Sequence, residues 1–213
     1  MAQDSQRNVF IFVPNLIGYL RILLLALSFY YILEDYKLAL LFYSSSALLD
    51  AFDGLAARIF NQSSVFGSIL DMLTDRVSTM CLLMTLGHLY SNHLFVIQIL
   101  LTIDIVSHWL HFFSSTLQGK CSHKVSDRRF GKLMRIYYEN KLILTTVCAF
   151  EQIFYCSLIV HHFEQKTSIA SYIIWPILIS APATLFKNYI NILQIGKACS
   201  VIAETKSIFS HDQ

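Results

Sequence analysis

The stretch KLALLFYSSSALLDAFDGLAARI (37–59), followed after a short polar break by FGSILDMLTDRVSTMCLLMTLGHLY (66–90), decides the fold. Each run is long enough to cross a bilayer as a helix, which takes about 20 mostly apolar residues. Each also carries two aspartates, Asp50 and Asp53 in the first and Asp71 and Asp75 in the second. A carboxylate inside a membrane span costs roughly 2.5–3.5 kcal/mol even on the lenient insertion scale, so four of them need a reason.

Outward from this pair, the rest of the chain reads in the same way. Further spans run from Leu16 to Leu33, His93 to Leu117, Leu142 to His162 and Ile169 to Leu193. Ahead of them, Asn8 to Pro14 (NVFIFVP) is too short to cross and reads as an interfacial segment stopped by proline. The expected fold is therefore an all-α integral membrane protein with six transmembrane helices and an N-terminal interfacial segment, one membrane domain over 1–213. Composition agrees. Of 213 residues 55% are hydrophobic and only 14% charged, with a mean hydropathy of +0.53. An average soluble chain carries about 25% charged residues, enough to cover its surface; this one does not. The net charge of +2 gives no nucleic-acid footprint. The five cysteines form no CxxC pair, so neither a disulfide framework nor a zinc knuckle is expected.

Lys and Arg set the orientation. Lys120, Lys124, Arg128, Arg129, Lys132, Arg135 and Lys141 crowd the linker from Gln118 to Lys141, and Arg7, Lys197 and Lys206 flank the termini. The opposite loops offer only Lys37 and Lys166, beside Glu34, Asp35 and Glu164. By the positive-inside rule both termini and the loops after the second and fourth spans face the cytosol.

The aspartates are spaced i,i+3 and i,i+4, so each pair shares one helix face. Two spans joined by a short loop are antiparallel neighbours, and all four carboxylates can meet in one cavity. Two readings are open: a structural network with Arg58 and Arg76, or a site for hard divalent cations. Two arginines cannot neutralise four aspartates, and all-oxygen ligation suits Mg²⁺ or Mn²⁺. Gly54, Ala57 and Gly67 lie near the acids, where small residues let a backbone or a ligand approach closely, although such residues also pack helices. Arg58 has the planar fork that suits a phosphate oxygen.

Together these residues form D-x2-D-G-x2-A-R-x8-G-x3-D-x3-D over 50–75, from Asp50 through Asp53, Gly54, Ala57, Arg58, Gly67 and Asp71 to Asp75. Eight fixed positions match by chance about once in 10⁹ to 10¹⁰ starts. The motif resembles the signature of the CDP-alcohol phosphotransferases, membrane enzymes of phospholipid synthesis. That resemblance implies metal ligation by Asp50, Asp53, Asp71 and Asp75 in a two-metal Mg²⁺ or Mn²⁺ site, with Asp75 as general base. It implies contacts from Gly54, Arg58 and Ser64 to the CDP-lipid donor. The family's P-N-x-x-T-x-x-R stretch, which the resemblance implies helps hold the nucleotide of the donor through Asn15, appears as Pro14-Asn15-Leu16-Ile17-Gly18-Tyr19-Leu20-Arg21, with Gly18 in place of threonine and Asn15 and Arg21 retained. A cation clamp on the diphosphate, attack of an alcohol on the β-phosphate and departure of CMP are the chemistry it implies.

The acceptor alcohol is not in the motif. The stretches 12–22, 48–62, 66–83, 104–111 and 135–138 resemble eukaryotic phosphatidylinositol synthases, which implies CDP-diacylglycerol and myo-inositol as substrates, a homodimer and the endoplasmic reticulum membrane. Glycerol 3-phosphate or serine as acceptor is the alternative, and a divalent-cation transporter using the aspartates as a relay is a remote one. Asp104, His108 and His111 share a helix face and suit either polyol contacts or a polar seam between spans. Arg135 and Lys141 are candidates for inositol contact or topogenic charges.

Overall fold

The structure, a computed structural model, describes residues 8–118, 136–138 and 140–209. Arg135 and the side chain of Lys141 lie outside the described residues, as do the other linker cations. The described residues hold six long helices and no strand: α1 (Val13–Tyr31), α2 (Tyr36–Ile59), α3 (Val65–Leu89), α4 (Leu94–Gln118), α5 (Lys141–Glu164) and α6 (Ala170–Phe209). Short 3₁₀ turns at Val9–Ile11 and Ser91–His93 precede α1 and α4.

Pro14 departs from expectation. It sits in the first turn of α1 and so opens that helix rather than ending the segment before it. The physical reason is that a first-turn N–H has no intrahelical acceptor, so proline forfeits nothing there and its fixed φ fits the helix. The Asp35 carboxylate caps α2, accepting from the Lys37 and Leu38 N–H groups at 3.0 and 3.1 Å. At its other end Asn61 takes φ 50°, a left-handed residue that stops the helix, and the Gln62 N–H returns to the Ala57 carbonyl at 3.0 Å. Ser64 then caps α3 by accepting from the Gly67 N–H at 3.0 Å.

Among the described residues five helices are long and apolar enough to cross a membrane: Val13–Tyr31, Tyr36–Ile59, Ser91–Leu117, Leu142–Glu164 and Ala170–Glu204. α3 has the length but not the apolarity, because Asp71, Asp75 and Arg76 fall together in its first half. The burial pattern is that of a protein dissolved in lipid. Phe95, Trp109, Leu178 and Ile179 are exposed, whereas Ser28, Thr79, Ser107, Glu151, Lys187, Asn191 and Gln194 are buried. In water that arrangement would be inverted; in a bilayer polar groups gather inside the bundle and apolar ones face acyl chains. The chain is a multi-pass membrane protein.

The chain divides into two compact units, Met1–Cys81 and Leu82–Gln213, with the boundary inside α3. In the first, α1 packs along α2, Ser28 and Ala39 are fully buried, and the Ser46 hydroxyl donates to the Arg21 carbonyl at 3.1 Å. In the second, α6 packs against both α4 and α5. Its interior is a polar seam: Lys187 of α6 is ion-paired with Glu151 of α5, Tyr155 donates to Glu151 at 3.4 Å, and Asn191 donates to Asp104 of α4 at 3.4 Å. α6 continues to Phe209, and Ala198 and Val201 are buried, so this part of the tail is packed rather than the exposed end that its polar composition suggests.

Removing one member of a buried ion pair costs about 3–5 kcal/mol, whereas replacing both by apolar groups is often neutral. Lys187→Met is expected to lower the unfolding midpoint of the detergent-solubilised protein sharply. The pair Glu151→Leu with Lys187→Met is expected to recover most of that loss in the same thermal melt.

Candidate active site

The site lies in the first unit. α2 brings Asp50 and Asp53 to one face, and the short turn after Asn61 folds α3 back so that Asp71 and Asp75 meet them. One carboxylate oxygen from each of Asp50, Asp53 and Asp71 falls within 4.8 Å of the others. Beneath them is a residue that neither helix supplies. Arg21 of α1 reaches Asp50 Oδ1 at 2.5 Å, Asp53 Oδ2 at 2.7 Å, Asp71 Oδ1 at 2.7 Å and Asp75 Oδ1 at 2.8 Å. The arginine side chain is 4% exposed, while those of Asp50, Asp71 and Asp75 are 44, 48 and 42% exposed. The carboxylates are thus braced from below by one guanidinium and open on the other side.

That geometry fits divalent cations. Four carboxylates and one guanidinium leave a formal surplus of three negative charges, the donor set is all oxygen, and three of the four acids are accessible. Asp50, Asp53 and Asp71 are the residues that can close on one ion, with Asp75 beside them.

A pocket of about 220 Å³ adjoins the cluster and is lined by Asn15, Asp53, Gly54, Ser64, Gly67 and Asp71 among others. Three of the four expected donor-contacting residues, Asn15, Gly54 and Ser64, therefore share one cavity with two of the aspartates. Arg58 does not line it; the residue is exposed near the end of α2, and its Nη1 would stand 3.9 Å from a Cβ added at Gly54. Asn15 is buried and donates to the Val9 carbonyl at 2.6 Å, which ties the Val9–Ile11 turn to the pocket wall. The Val13 N–H donates to Gln62 at 2.8 Å, joining the start of α1 to the α2–α3 turn.

Two glycines sit at close approaches. A Cβ at Gly67 would come 2.7 Å from Asn15 Oδ1 and 3.2 Å from Ser64 Oγ, and one at Gly18 would come 2.9 Å from Leu70 Cδ2.

Of the two arginines expected beside the acids, Arg58 makes no ion pair with them among the described residues and Arg76 acts on Asp75, while Arg21 meets all four. A signal was present in the sequence. Arg21 is the only cation in the span from Leu16 to Leu33, and a charge in such a span demands a partner. In the second unit Asp104 belongs to the polar seam, His108 Nδ1 lies 2.8 Å from the Asp104 carbonyl of its own helix, and His111 stacks on Tyr138 at 5.9 Å.

Residues 11–177 match the family model described as CDP-alcohol phosphatidyltransferase. The chain belongs to that family. It is 44% identical over 198 residues to the human protein named CDP-diacylglycerol–inositol 3-phosphatidyltransferase, covering 92% of this chain and 93% of the relative. The protein of the same name from Saccharomyces cerevisiae is 37% identical over 201 residues, covering 94% and 90%. One from Drosophila melanogaster is 43% identical over 195 residues, covering 91% and 85%. No solved structure matches the chain.

Overpacking at a tight contact typically costs about 1–3 kcal/mol. Gly67→Ala is expected to lower thermal stability by that order, and adding Asn15→Ser, which shortens the side chain it strikes, is expected to restore part of it. A double-mutant cycle of melting midpoints checks the coupling.

Proposed function

We propose that this enzyme transfers the phosphatidyl group of CDP-diacylglycerol to myo-inositol, forming phosphatidylinositol and releasing CMP. The observation that carries this reading is the four-aspartate cluster, drawn from adjoining helices and opening beside a pocket that holds Asn15, Gly54 and Ser64. The relatives, whose names specify inositol and whose lengths the chain nearly spans, support the choice of acceptor.

The residues divide the work. Asp50, Asp53, Asp71 and Asp75 hold Mg²⁺ or Mn²⁺, which when bound offsets the charge of a diphosphate and favours departure of CMP. Asn15, Gly54, Arg58 and Ser64 seat the CDP portion: Gly54 lets the diphosphate approach the backbone, Ser64 offers a hydroxyl, and Arg58 supplies a fork for phosphate oxygens. Asp75 accepts the proton of the inositol hydroxyl as that oxygen bonds to the β-phosphorus and the bond from phosphorus to the CMP oxygen breaks. Its carboxylate is accessible enough to meet an incoming alcohol. His108, His111, Arg135 and Lys141 remain the candidates for holding the polyol.

The surroundings follow from the same reading. The motif-bearing helix α3 serves as a sixth span despite its charges, because its aspartates face the cluster with α2 and Arg21 rather than lipid. Six spans place both termini in the cytosol, with the Val9–Ile11 turn at the interface. The family match runs across the boundary between the two compact units, which supports one domain over 1–213. The protein works in the endoplasmic reticulum membrane as a homodimer.

Purified protein in detergent is expected to release CMP from CDP-diacylglycerol only with both inositol and a divalent cation present, and chelation with EDTA is expected to abolish turnover. Asp75→Asn is expected to lower kcat by about 10²–10⁴-fold with little change in KM for the lipid. CMP release with glycerol 3-phosphate or serine but not inositol would reassign the acceptor. Normal turnover in Asp75→Asn would remove the assigned base.

A further inference from the structure

Arg21 is placed as no other cation among the described residues is. Its guanidinium meets four carboxylates within 2.8 Å, two through Nη1 and two through Nη2, while Nε is buried without an acceptor. Nη1 donates to Asp53 and Asp71 and Nη2 to Asp75, so charge and hydrogen bonding together seat the guanidinium among the acids. Its backbone is pinned in turn, since the Arg21 carbonyl accepts from Ser46 of α2. The aspartates it joins come from two helices, and four carboxylates brought this close repel one another strongly in a medium of low dielectric. Without a resident positive charge α2 and α3 would be driven apart at the very residues that have to stay together. The guanidinium also takes up carboxylate oxygens from beneath that a cation arriving at the open side would otherwise have to itself.

We propose that Arg21 is a positioning residue: a built-in counter-charge that keeps Asp50, Asp53, Asp71 and Asp75 gathered before a divalent cation arrives and competes with that cation for them. This goes beyond nucleotide contact, and it rests on the reading of the aspartates as cation ligands. Two effects of opposite sign follow. With Arg21 neutralised, the cation-free protein loses stability because the repulsion is unscreened. The same change makes cation binding tighter, because the surplus negative charge at the cluster rises by one and the competitor is gone. A residue that served folding alone would show the first effect without the second.

The test is Mn²⁺ binding, read by the free-ion electron paramagnetic resonance signal, together with thermal melts, on EDTA-stripped full-length protein in detergent. Arg21→Gln is expected to bind Mn²⁺ at least about tenfold more tightly than wild type. It is also expected to melt lower without metal and to gain more from added Mn²⁺, and Arg21→Lys, which keeps a cation, is expected to fall between the two. Mn²⁺ binding by wild type with equal or weaker binding by Arg21→Gln overturns the assignment of Arg21 and leaves the cation site standing. Absence of Mn²⁺ binding by either protein overturns both. If Arg21→Gln does not fold when stripped, Mn²⁺ throughout purification or the added change Asp50→Asn, which removes the unbalanced charge, must restore the fold; failure of both remedies overturns the proposal.

Discussion

Mutual repulsion among four carboxylates held on two neighbouring helices is the constraint around which the first unit is organised. Asp50, Asp53, Asp71 and Asp75 are crowded together, and the guanidinium of Arg21 beneath them meets all four. That contact fixes how α1 is rotated against α2 and α3, because Arg21 has to project from exactly one side of α1. The Ser46 hydroxyl on the Arg21 carbonyl, the Asn15 amide on Val9 and the Gln62 side chain on the Val13 N–H lock the same helix from other directions. The pocket beside the acids is a product of that locking, since its walls come from the start of α1, the end of α2 and the start of α3.

The second unit solves a different problem with similar means. In lipid, apolar surface supplies little drive for helices to associate, so packing and interhelical polar contacts take over. Glu151 with Lys187, Asp104 with Asn191 and Tyr138 with Gln194 are contacts of this type, the last at 2.7 Å, and α6 takes part in all three. Asp104 thus takes part in the cohesion of this unit through Asn191.

Much of this was legible from the chain alone. The helices follow from apolar runs of bilayer length, and the gathering of aspartates follows from i,i+3 and i,i+4 spacing on two segments joined by a short turn. The partner of those aspartates was less accessible, because the pairing of Arg21 with residues 29 to 54 positions away depends on how α1 is rotated, and periodicity within one helix does not report rotation against another. Pro14 was misplaced because proline both ends and begins helices, and only the backbone around it distinguishes the two. The length of α6 was hidden because hydropathy falls near Lys197 while helical backbone does not.

At 40 residues α6 is about 60 Å long at 1.5 Å per residue, roughly twice the thickness of a bilayer's hydrocarbon layer. At the tilts that membrane helices adopt, up to about 40°, a rod of that length cannot be submerged. It therefore joins the acyl region to the aqueous boundary as one continuous helix, so that Lys187 and Asn191, buried in the bundle, and the end that leaves the bilayer belong to a single element.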